Sequence, residues 1–302
     1  MSTLGVRADL RELIGIRPRV AELQRTRYRR RSRERDAGVA RSAFRGRGME
    51  YAESRPYAPG DDVRQMDWRV TARTGRPHTK LFQPERDRVT ALVVDRSAAM
   101  QFGTRVCFKS VQAARIGALL GWFALTGGDR LAAAAGGEVI PPAAGRQGLM
   151  RVLAALARWT APESGAAPLS VALTAAGRVL KTGSHVLILA DARSLDPACE
   201  PALAALARHN DVLVALVHDA LEAEAPPPAR YALTDGSTRI QVDTAAASAR
   251  SAWRACFQDM RDAADERLAS VGLAGVPVSV ADDPVQALRA LLRTPGRIRR
   301  AA

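Results

Sequence analysis

Hydrophobic runs alternate with amphipathic stretches along the chain after residue 88. Residues 89–95 (VTALVVD) and 185–191 (HVLILAD) are nearly continuous β-branched and aliphatic runs, as expected of strands that are buried on both faces. Stretches with apolar residues at helical spacing lie between such runs and predict amphipathic helices. Strands are predicted at 89–95, 130–135, 185–191, 211–218 and 276–280, and helices at 105–125, 147–159, 169–180, 199–208, 246–271 and 284–292.

Strands that alternate with helices predict an α/β fold with a doubly wound, mostly parallel sheet. A hairpin is predicted at 231–233 and 239–242, where an Asp-Gly turn separates two short apolar runs. Residues 1–36 instead have apolar positions at helical spacing among many arginines, which predicts a basic helical lead-in. Residues 37–88 are rich in glycine and proline and predict a small β-rich subdomain. The α/β domain is then expected at 89–302.

The composition excludes several classes of protein. With 47% hydrophobic and 25% charged residues among 302, the chain can form a packed core and is not disordered throughout. Cys107, Cys199 and Cys256 have no paired spacing, which excludes a disulfide framework and indicates a reducing compartment. No apolar stretch approaches the roughly 18 residues of a membrane span, and the first ten residues lack a signal-peptide core. We therefore expect a soluble, cytoplasmic protein.

Positive charge is concentrated near the start of the chain. Residues 1–88 carry 22 basic and 12 acidic side chains, and so +10 of the net charge of +14. Seven arginines lie within eleven residues, at Arg25, Arg27, Arg29, Arg30, Arg31, Arg33 and Arg35. Such a block is typical of a solvated arm that can bind a polyanion, which makes a nucleic-acid or acidic-surface binder one hypothesis. We favour a solubilising or partner-facing helix, because Tyr28 is the only aromatic residue interleaved for base stacking.

Enzyme motifs are not found. The four histidines have no zinc-protease spacing, and neither a phosphate-binding loop nor a G-x-S-x-G elbow occurs. One alternative is a cryptic metal-dependent hydrolase that uses Asp61, Asp62, Asp67 or Asp95. That alternative requires several of these carboxylates within about 5 Å of one another. We predict no catalytic residues.

Two aspartates each end a hydrophobic run that predicts a buried strand. Ligands of open parallel sheets bind beyond the carboxyl ends of the strands, so Asp95 and Asp191 are expected to emerge at one edge. Ser97 follows Asp95 in the segment DRSAAM, and oxygen ligands of this kind suit magnesium. In this arrangement the sequence resembles a von Willebrand factor A domain with its metal-ion-dependent adhesion site.

The resemblance places Asp95, Ser97 and Asp191 at three ligand positions of that site. Ala99 stands at the position of the second serine and Ala167 at that of the threonine, so the site is degenerate. We therefore expect no cofactor and at most weak magnesium binding.

A more detailed resemblance lies upstream, at residues 53–68 (ESRPYAPGDDVRQMDW). This run is similar to the hallmark of the bacterial family named domain of unknown function 58, in which it precedes an A-domain-like fold. The chain is similar to the soluble branch of that family. The matching positions are Glu53, Arg55, Tyr57, Gly60, Asp61, Asp62, Arg64, Asp67, Trp68 and Arg73.

The hallmark has two interpretations. Residues 59–62 (PGDD) have the chemistry of a turn, and the charged members can pair in a network around Trp68 that fixes the small subdomain. We favour this structural role, and the alternative is a docking face for a partner.

The resemblance also implies a function. Relatives are typically encoded beside MoxR-type AAA+ ATPases and other A-domain proteins, which implies a non-enzymatic adaptor or co-chaperone in the assembly or remodelling of protein complexes. The loops after Asp95 and Asp191 are then the expected docking surface.

Overall fold

The computed structural model describes residues 5–23, 49–58, 61, 66–84, 88–162, 165–234 and 239–294. For residues 49–53, 80–84 and 233–234 it describes the backbone alone. The chain divides into two compact units, one formed by Met1–Arg31 and Arg88–Ala302 and the other by Ser32–Asp87.

The described residues include ten strands and nine α-helices, together with short 3₁₀ turns. The strands are β1 (Met49–Pro56), β2 (His78–Pro84), β3 (Val89–Val94), β4 (Arg130–Ala135), β5 (Glu138–Ala143), β6 (His185–Ala190), β7 (Asp211–His218), β8 (Arg230–Thr234), β9 (Arg239–Asp243) and β10 (Gly275–Ser279). The helices are α1 (Leu10–Gly15), α2 (Trp68–Thr74), α3 (Lys109–Thr126), α4 (Gly145–Trp159), α5 (Leu169–Val179), α6 (Glu200–His209), α7 (Ala220–Ala223), α8 (Ala247–Ser270) and α9 (Pro284–Arg293).

A six-stranded sheet in the order β10-β7-β6-β3-β4-β5 is the centre of the larger unit. Five of its strands are parallel, and β5 runs antiparallel to β4. All six residues of β3 are buried, as its continuous apolar run predicts. Helices cover both faces, so the predicted doubly wound, mostly parallel α/β fold is confirmed.

Alternate residues of β3 divide between two hydrophobic clusters, because successive side chains of a strand point to opposite faces. Leu92 and Val94 belong to the cluster that includes residues of α3, α4 and α9. Ala91 and Val93 belong to the cluster that includes residues of α5, α6 and α8.

The start of the chain belongs to the larger unit. Leu13 of α1 is fully buried, and its carbonyl oxygen accepts a hydrogen bond of 3.1 Å from the indole nitrogen of Trp122. The Arg115 guanidinium lies 2.6 Å from Glu12. Pro18 lies in a 3₁₀ turn, where the predicted helix is interrupted. Residues 5–23 therefore pack on the α/β core.

Two local predictions need correction. The helix expected from residue 105 begins at Lys109, because Phe108 has an extended backbone and a 3₁₀ turn occupies Ala98–Gln101. The segment 138–143 (EVIPPA) was not predicted to be a strand, yet it forms β5 at one edge of the sheet. Prolines are tolerated in edge strands, and the opposite edge strand β10 also contains one, Pro277.

Two short antiparallel sheets complete the description. The two strands of the predicted hairpin are present as β8 and β9. They pair in antiparallel fashion, with Arg230 opposite Asp243 at one end and Thr234 opposite Arg239 at the other. In the smaller unit, β1 pairs with β2, with a register shift between Tyr51 and Glu53, and α2 lies between them in the chain. Among the described residues, no helix is both long and apolar enough to cross a membrane.

Candidate functional site at the carboxyl edge of the sheet

Asp95 and Asp191 follow the carboxyl ends of the adjacent strands β3 and β6, and the structure brings them together. The backbone N–H of Asp191 donates a hydrogen bond of 3.1 Å to Oδ2 of Asp95. Ser97 donates to the same carboxylate twice, from its backbone N–H at 2.7 Å and from its hydroxyl at 3.1 Å. The Ser97 hydroxyl is also hydrogen-bonded at 2.8 Å to Ser194, which lies in the loop after β6.

The Asp95 carboxylate is almost completely buried, with 1% of the residue exposed. Burial raises the pKa of Asp95, and the hydrogen bonds from Ser194, Ser97 and Asp191 oppose that rise without cancelling it. These hydrogen bonds use both carboxylate oxygens, so Asp95 joins the two loops that follow β3 and β6.

Asp191 is paired with two cations. Its Oδ2 accepts a hydrogen bond from the ammonium of Lys109, and its Oδ1 accepts from the backbone N–H of Arg193 at 2.8 Å and from the Arg193 guanidinium at 3.2 Å. Burial alone would raise the pKa of Asp191, but the charges of Lys109 and Arg193 outweigh it and hold the pKa below its ordinary value. Asp191 is therefore a fixed anion at neutral pH.

Lys109 is fully buried at the start of α3. Besides Asp191, its ammonium contacts Oε1 of Glu222 at 2.7 Å, and it lies 5.6 Å from the centre of the Phe102 ring. Arg193 also pairs with Glu222, so two cations and two carboxylates form one network. Burial of an ammonium without partners is costly, and the two carboxylates supply the pairing that offsets this cost.

A third aspartate, Asp219, follows β7 and lies at the same edge. It is 1% exposed, and its two carboxylate oxygens accept hydrogen bonds from Thr104, at 3.0 Å from the backbone N–H and at 2.7 Å from the hydroxyl. Asp219 also caps α7, and its own backbone N–H donates a hydrogen bond of 2.9 Å to the carboxylate of Glu222. Asp219 thus connects the loop before α3 to the ion-pair network.

The oxygen ligands that a divalent cation needs are scarce here. Ala99 lies in the 3₁₀ turn after Asp95, and the backbone N–H of Ala167 donates to the carbonyl oxygen of Arg96 at 3.1 Å. Both alanines therefore stand beside the site, as the sequence predicted, and neither side chain has an oxygen.

The oxygens that remain are already engaged with groups of the protein. The ammonium of Lys109 holds Oδ2 of Asp191, and the Ser97 hydroxyl is bonded to two partners. Within the described part of the chain, no group of three or more His, Cys, Asp or Glu side chains is arranged to hold a metal ion. The residues present do not fit an octahedral magnesium centre.

The described hallmark residues of the smaller unit make local contacts. The Arg55 guanidinium lies 2.5 Å from Asp61, and Asp61 also accepts a hydrogen bond of 3.0 Å from the backbone N–H of Ala58. That backbone hydrogen bond lowers the pKa of Asp61, with a further contribution from Arg55. Asp61 therefore connects Arg55 with the backbone of Ala58, while the other three residues of the turn predicted at 59–62 lie outside the described part of the chain.

The expected charge network around Trp68 is described only in part, because the side chains of Glu53 and Arg64 lie outside the described part of the chain. Trp68 is 66% exposed at the start of α2, so its ring is not the buried centre of such a network. Asp67 caps α2 through the backbone N–H of Val70 at 3.1 Å and accepts a hydrogen bond of 2.6 Å from the Ser54 hydroxyl. Asp67 therefore has the role of an N-cap, which is a common position for aspartate at the start of a helix. Arg73 lies exposed in the last turn of α2, and Tyr57 donates its backbone N–H to Pro77 at 2.9 Å.

Several predicted residues lie outside the described part of the chain. These are Gly60, Asp62, Arg64 and the arginines of the basic segment, Arg27, Arg29, Arg30, Arg31 and Arg33. Glu53 is described through its backbone alone, in β1.

Sequence reasoning missed the two residues that organise the site. Asp219 follows an apolar run, as Asp95 and Asp191 do. Because His218 stands between that run and Asp219, the shared pattern of an apolar run followed by aspartate was not recognised. Lys109 is one of only three lysines among 45 basic residues. A lysine in an arginine-rich chain signals a position where a compact ammonium is required, and this signal could have identified it.

Two cysteines and one histidine of the larger unit are buried and poorly placed for chemistry. Burial raises the pKa of Cys199 to about 12 and also raises that of Cys107, so both are neutral thiols at pH 7. Burial lowers the pKa of His218, whose ring lies 5.7 Å from that of Phe257.

The larger unit is therefore an α/β domain with a mostly parallel six-stranded sheet and a buried ion-pair network at its carboxyl edge. Residues 53–266 match the family described as "Protein of unknown function DUF58", and the chain belongs to this family. The prediction from residues 53–68 is confirmed.

Comparison with known proteins finds similar sequences and partly similar solved structures. Uncharacterized proteins of Mycobacterium bovis and Mycobacterium tuberculosis are 36% identical over 200 residues, which are 65% of this chain and 63% of theirs. The chain thus spans less than two thirds of the length of these relatives. Among solved structures, BatB from Bacteroides thetaiotaomicron aligns with TM-score 0.43 and 14% identity over 68% of this chain and 97% of its own. A von Willebrand factor type A protein from Catenulispora acidiphila aligns with TM-score 0.39 and 16% identity over 71% and 42%.

Proposed function

We propose that the chain is a non-catalytic protein-interaction module that acts as an adaptor or co-chaperone. One observation carries this proposal: the ammonium of Lys109 is buried between Asp191 and Glu222 at the edge where an α/β protein of this topology binds its ligands. The network pairs the carboxylates of Asp191 and Glu222 with cations of the protein itself, so neither carboxylate is left free for acid–base chemistry, and the edge retains a surface for recognition.

The same network argues against acid–base chemistry. A general base needs a free lone pair within reach of substrate, and Asp95 and Asp191 have both of their oxygens in hydrogen bonds to the protein. Neutral Cys107 and Cys199 are poor nucleophiles. These observations favour binding over turnover.

We also propose that Lys109 replaces the divalent cation of an A-domain adhesion site. Its charge compensates Asp191 and Glu222, and Ala99 and Ala167 remove two of the oxygens that a cation would use. Recognition at this edge then does not depend on magnesium.

The partner that the family resemblance implies is a MoxR-type AAA+ ATPase. The loop after β3 supports a docking role, because it exposes Val106 by 52% and Phe102 by 36% beside the network. Apolar side chains exposed next to fixed charges are typical of protein interfaces.

Co-purification from the native cell tests the adaptor proposal. Tagged wild-type chain is compared with Val106→Glu, and with Val179→Glu as the matched control at an exposed valine in the last turn of α5. We expect an AAA+ ATPase with the wild type and with Val179→Glu, and its loss with Val106→Glu. Absence of an ATPase from the wild-type sample contradicts the partner, and retention by Val106→Glu contradicts the docking loop.

Calorimetry tests the cation proposal. Magnesium titrated into the wild-type chain is expected to show no binding tighter than about millimolar. Micromolar binding would overturn the replacement of the metal by Lys109.

A further inference from the structure

An apolar groove of about 240 Å³ lies in the larger unit, beside the ion-pair network. Tyr231 and Val242 line it from the β8–β9 hairpin, Leu221 from α7 and Trp253 from α8, together with the prolines at 226–227. A cavity of this size accepts a large apolar side chain, and a shallow apolar groove with a few polar groups is typical of a peptide-binding site.

The polar tips of the aromatic residues are already satisfied. The Tyr231 hydroxyl donates to the carbonyl oxygen of Pro227 at 2.9 Å, and the Trp253 indole nitrogen donates to that of Leu221 at 2.8 Å. These bonds hold both rings in the walls of the groove, and the rings offer apolar surface to an occupant.

Arg105 is the one cation that lines the groove. It is exposed, and none of the described carboxylates forms an ion pair with it. An arginine beside an apolar groove favours an occupant that carries a carboxylate. The chain's own basic segment at residues 25–35 has the same sign of charge as Arg105, which disfavours it as the occupant.

The buried network holds two walls of this groove. Asp219 binds Thr104, the neighbour of Arg105, through two hydrogen bonds and binds the backbone N–H of Leu221 at 2.9 Å. Glu222 in turn joins α7 to Lys109 and Arg193. Asp219 and Glu222 therefore fix the position of these two groove walls.

We propose that this groove binds a segment of a partner protein in which a bulky apolar side chain is adjacent to Asp or Glu. The apolar side chain enters between Tyr231 and Trp253, and the carboxylate pairs with Arg105. This inference rests on the proposed adaptor function and names the chemistry that the adaptor recognises.

Peptide selection on the full chain tests the proposal. A random linear peptide library is displayed and panned on the wild type, and the selected peptides are measured by fluorescence anisotropy. We expect enrichment of a large apolar residue beside Asp or Glu. The Arg105→Glu variant should bind these peptides roughly tenfold more weakly, because a charge is reversed at the rim. Peptides with Lys in place of the acid should recover binding to Arg105→Glu.

Arg254→Glu is the matched control, because this exposed arginine lies on α8 next to Trp253 in sequence but does not line the groove. It should bind the selected peptides as the wild type does. No enrichment, enrichment without acidic residues, or equal loss in both variants would overturn the proposal. Concentration-dependent dimerisation that Arg105→Glu abolishes would instead make a second copy of the chain the occupant, and would also overturn it.

The same variants separate this proposal from the adaptor function. An ATPase that co-purifies with Arg105→Glu, in the absence of any selected peptide, refutes the groove and leaves the adaptor standing. Selected peptides without a co-purifying ATPase refute the partner and leave the groove standing.

Discussion

The ammonium of Lys109 and the carboxylate of Asp191 form a buried ion pair, although 82 residues separate them in the chain. The pair connects the start of α3 to the loop after β6, and Glu222 extends it to α7. A lysine at this position supplies the positive charge that the clustered strand-end carboxylates require. The positive charge at this site is thus provided by a side chain of the protein itself.

Removal of the lysine charge should be strongly destabilising. Lys109→Met retains a side chain of similar length but leaves Asp191 and Glu222 with Arg193 as their shared cation. Breaking a buried ion pair from one side costs about 3 kcal/mol or more in the free energy of unfolding. Urea denaturation followed by circular dichroism measures the change.

A double-mutant cycle assigns that cost to the pair. Asp191→Asn alone should also destabilise, and the Lys109→Met/Asp191→Asn double variant should be more stable than the sum of the single changes predicts, by roughly 1–3 kcal/mol. Strict additivity of the two substitutions would show that the residues are not coupled.

The contribution of Asp191 should depend on pH in a defined direction. Its folded-state pKa is lowered, so the ionised carboxylate stabilises the fold above the unfolded pKa of about 3.9, and this stabilisation is lost as the pH falls through the folded-state value. The difference in unfolding free energy between wild type and Asp191→Asn should be constant from about pH 7 to 5 and shrink below about pH 4. Denaturant titrations across that range provide the measurement, and a difference that grows in acid would contradict the assignment.

The first turn of α9 should depend on Asp283. Its carboxylate accepts hydrogen bonds from the backbone N–H groups of Val285 and Gln286 at 2.9 and 3.1 Å, and it also pairs with Arg19. Asp283→Ala should cost about 1 kcal/mol, as expected for loss of a helix cap. Arg19→Ala should cost less than about 0.5 kcal/mol, because an exposed ion pair contributes little. Thermal unfolding compares the two variants, and equal losses would show that the ion pair and not the cap dominates.

The loop before α3 should not tolerate a side chain at Gly103. A Cβ atom there would lie 2.0 Å from the carbonyl oxygen of Cys107, so Gly103→Ala must displace the backbone that leads to Lys109. We expect a loss of roughly 2–3 kcal/mol. Gly177→Ala is the matched control, since it lies in α5 with no atom within 4 Å of the added Cβ. That change should stabilise by about 0.5–1 kcal/mol. A neutral result at Gly103 in differential scanning fluorimetry would refute the predicted close contact.

The parallel strands could be predicted because burial on both faces leaves a continuous apolar run in the sequence. The meeting of Asp95 and Asp191 followed from the same reasoning, since β3 and β6 are adjacent and both end in aspartate. The family could be predicted because residues 53–68 contain many spaced positions in a fixed order.

Lys109 could not be paired with its partners from local pattern, because one partner lies in the loop after β6 and the other in α7, and both contacts depend on how α3 packs. The exposure of Trp68 could not be predicted for a related reason. Nearby charges in the sequence suggested a network around its ring, but spacing along the chain does not determine whether a side chain is exposed. The strand β5 was missed because its two prolines argue against a central strand and only an edge position permits them.

Both edge strands of the sheet contain proline, which has no backbone N–H to donate. These prolines are Pro141 and Pro142 in β5 and Pro277 in β10. A neighbouring chain that aligned with either border would find no continuous ladder to extend. Strand addition is therefore disfavoured at both edges, which lowers the tendency of copies of this chain to associate through the sheet.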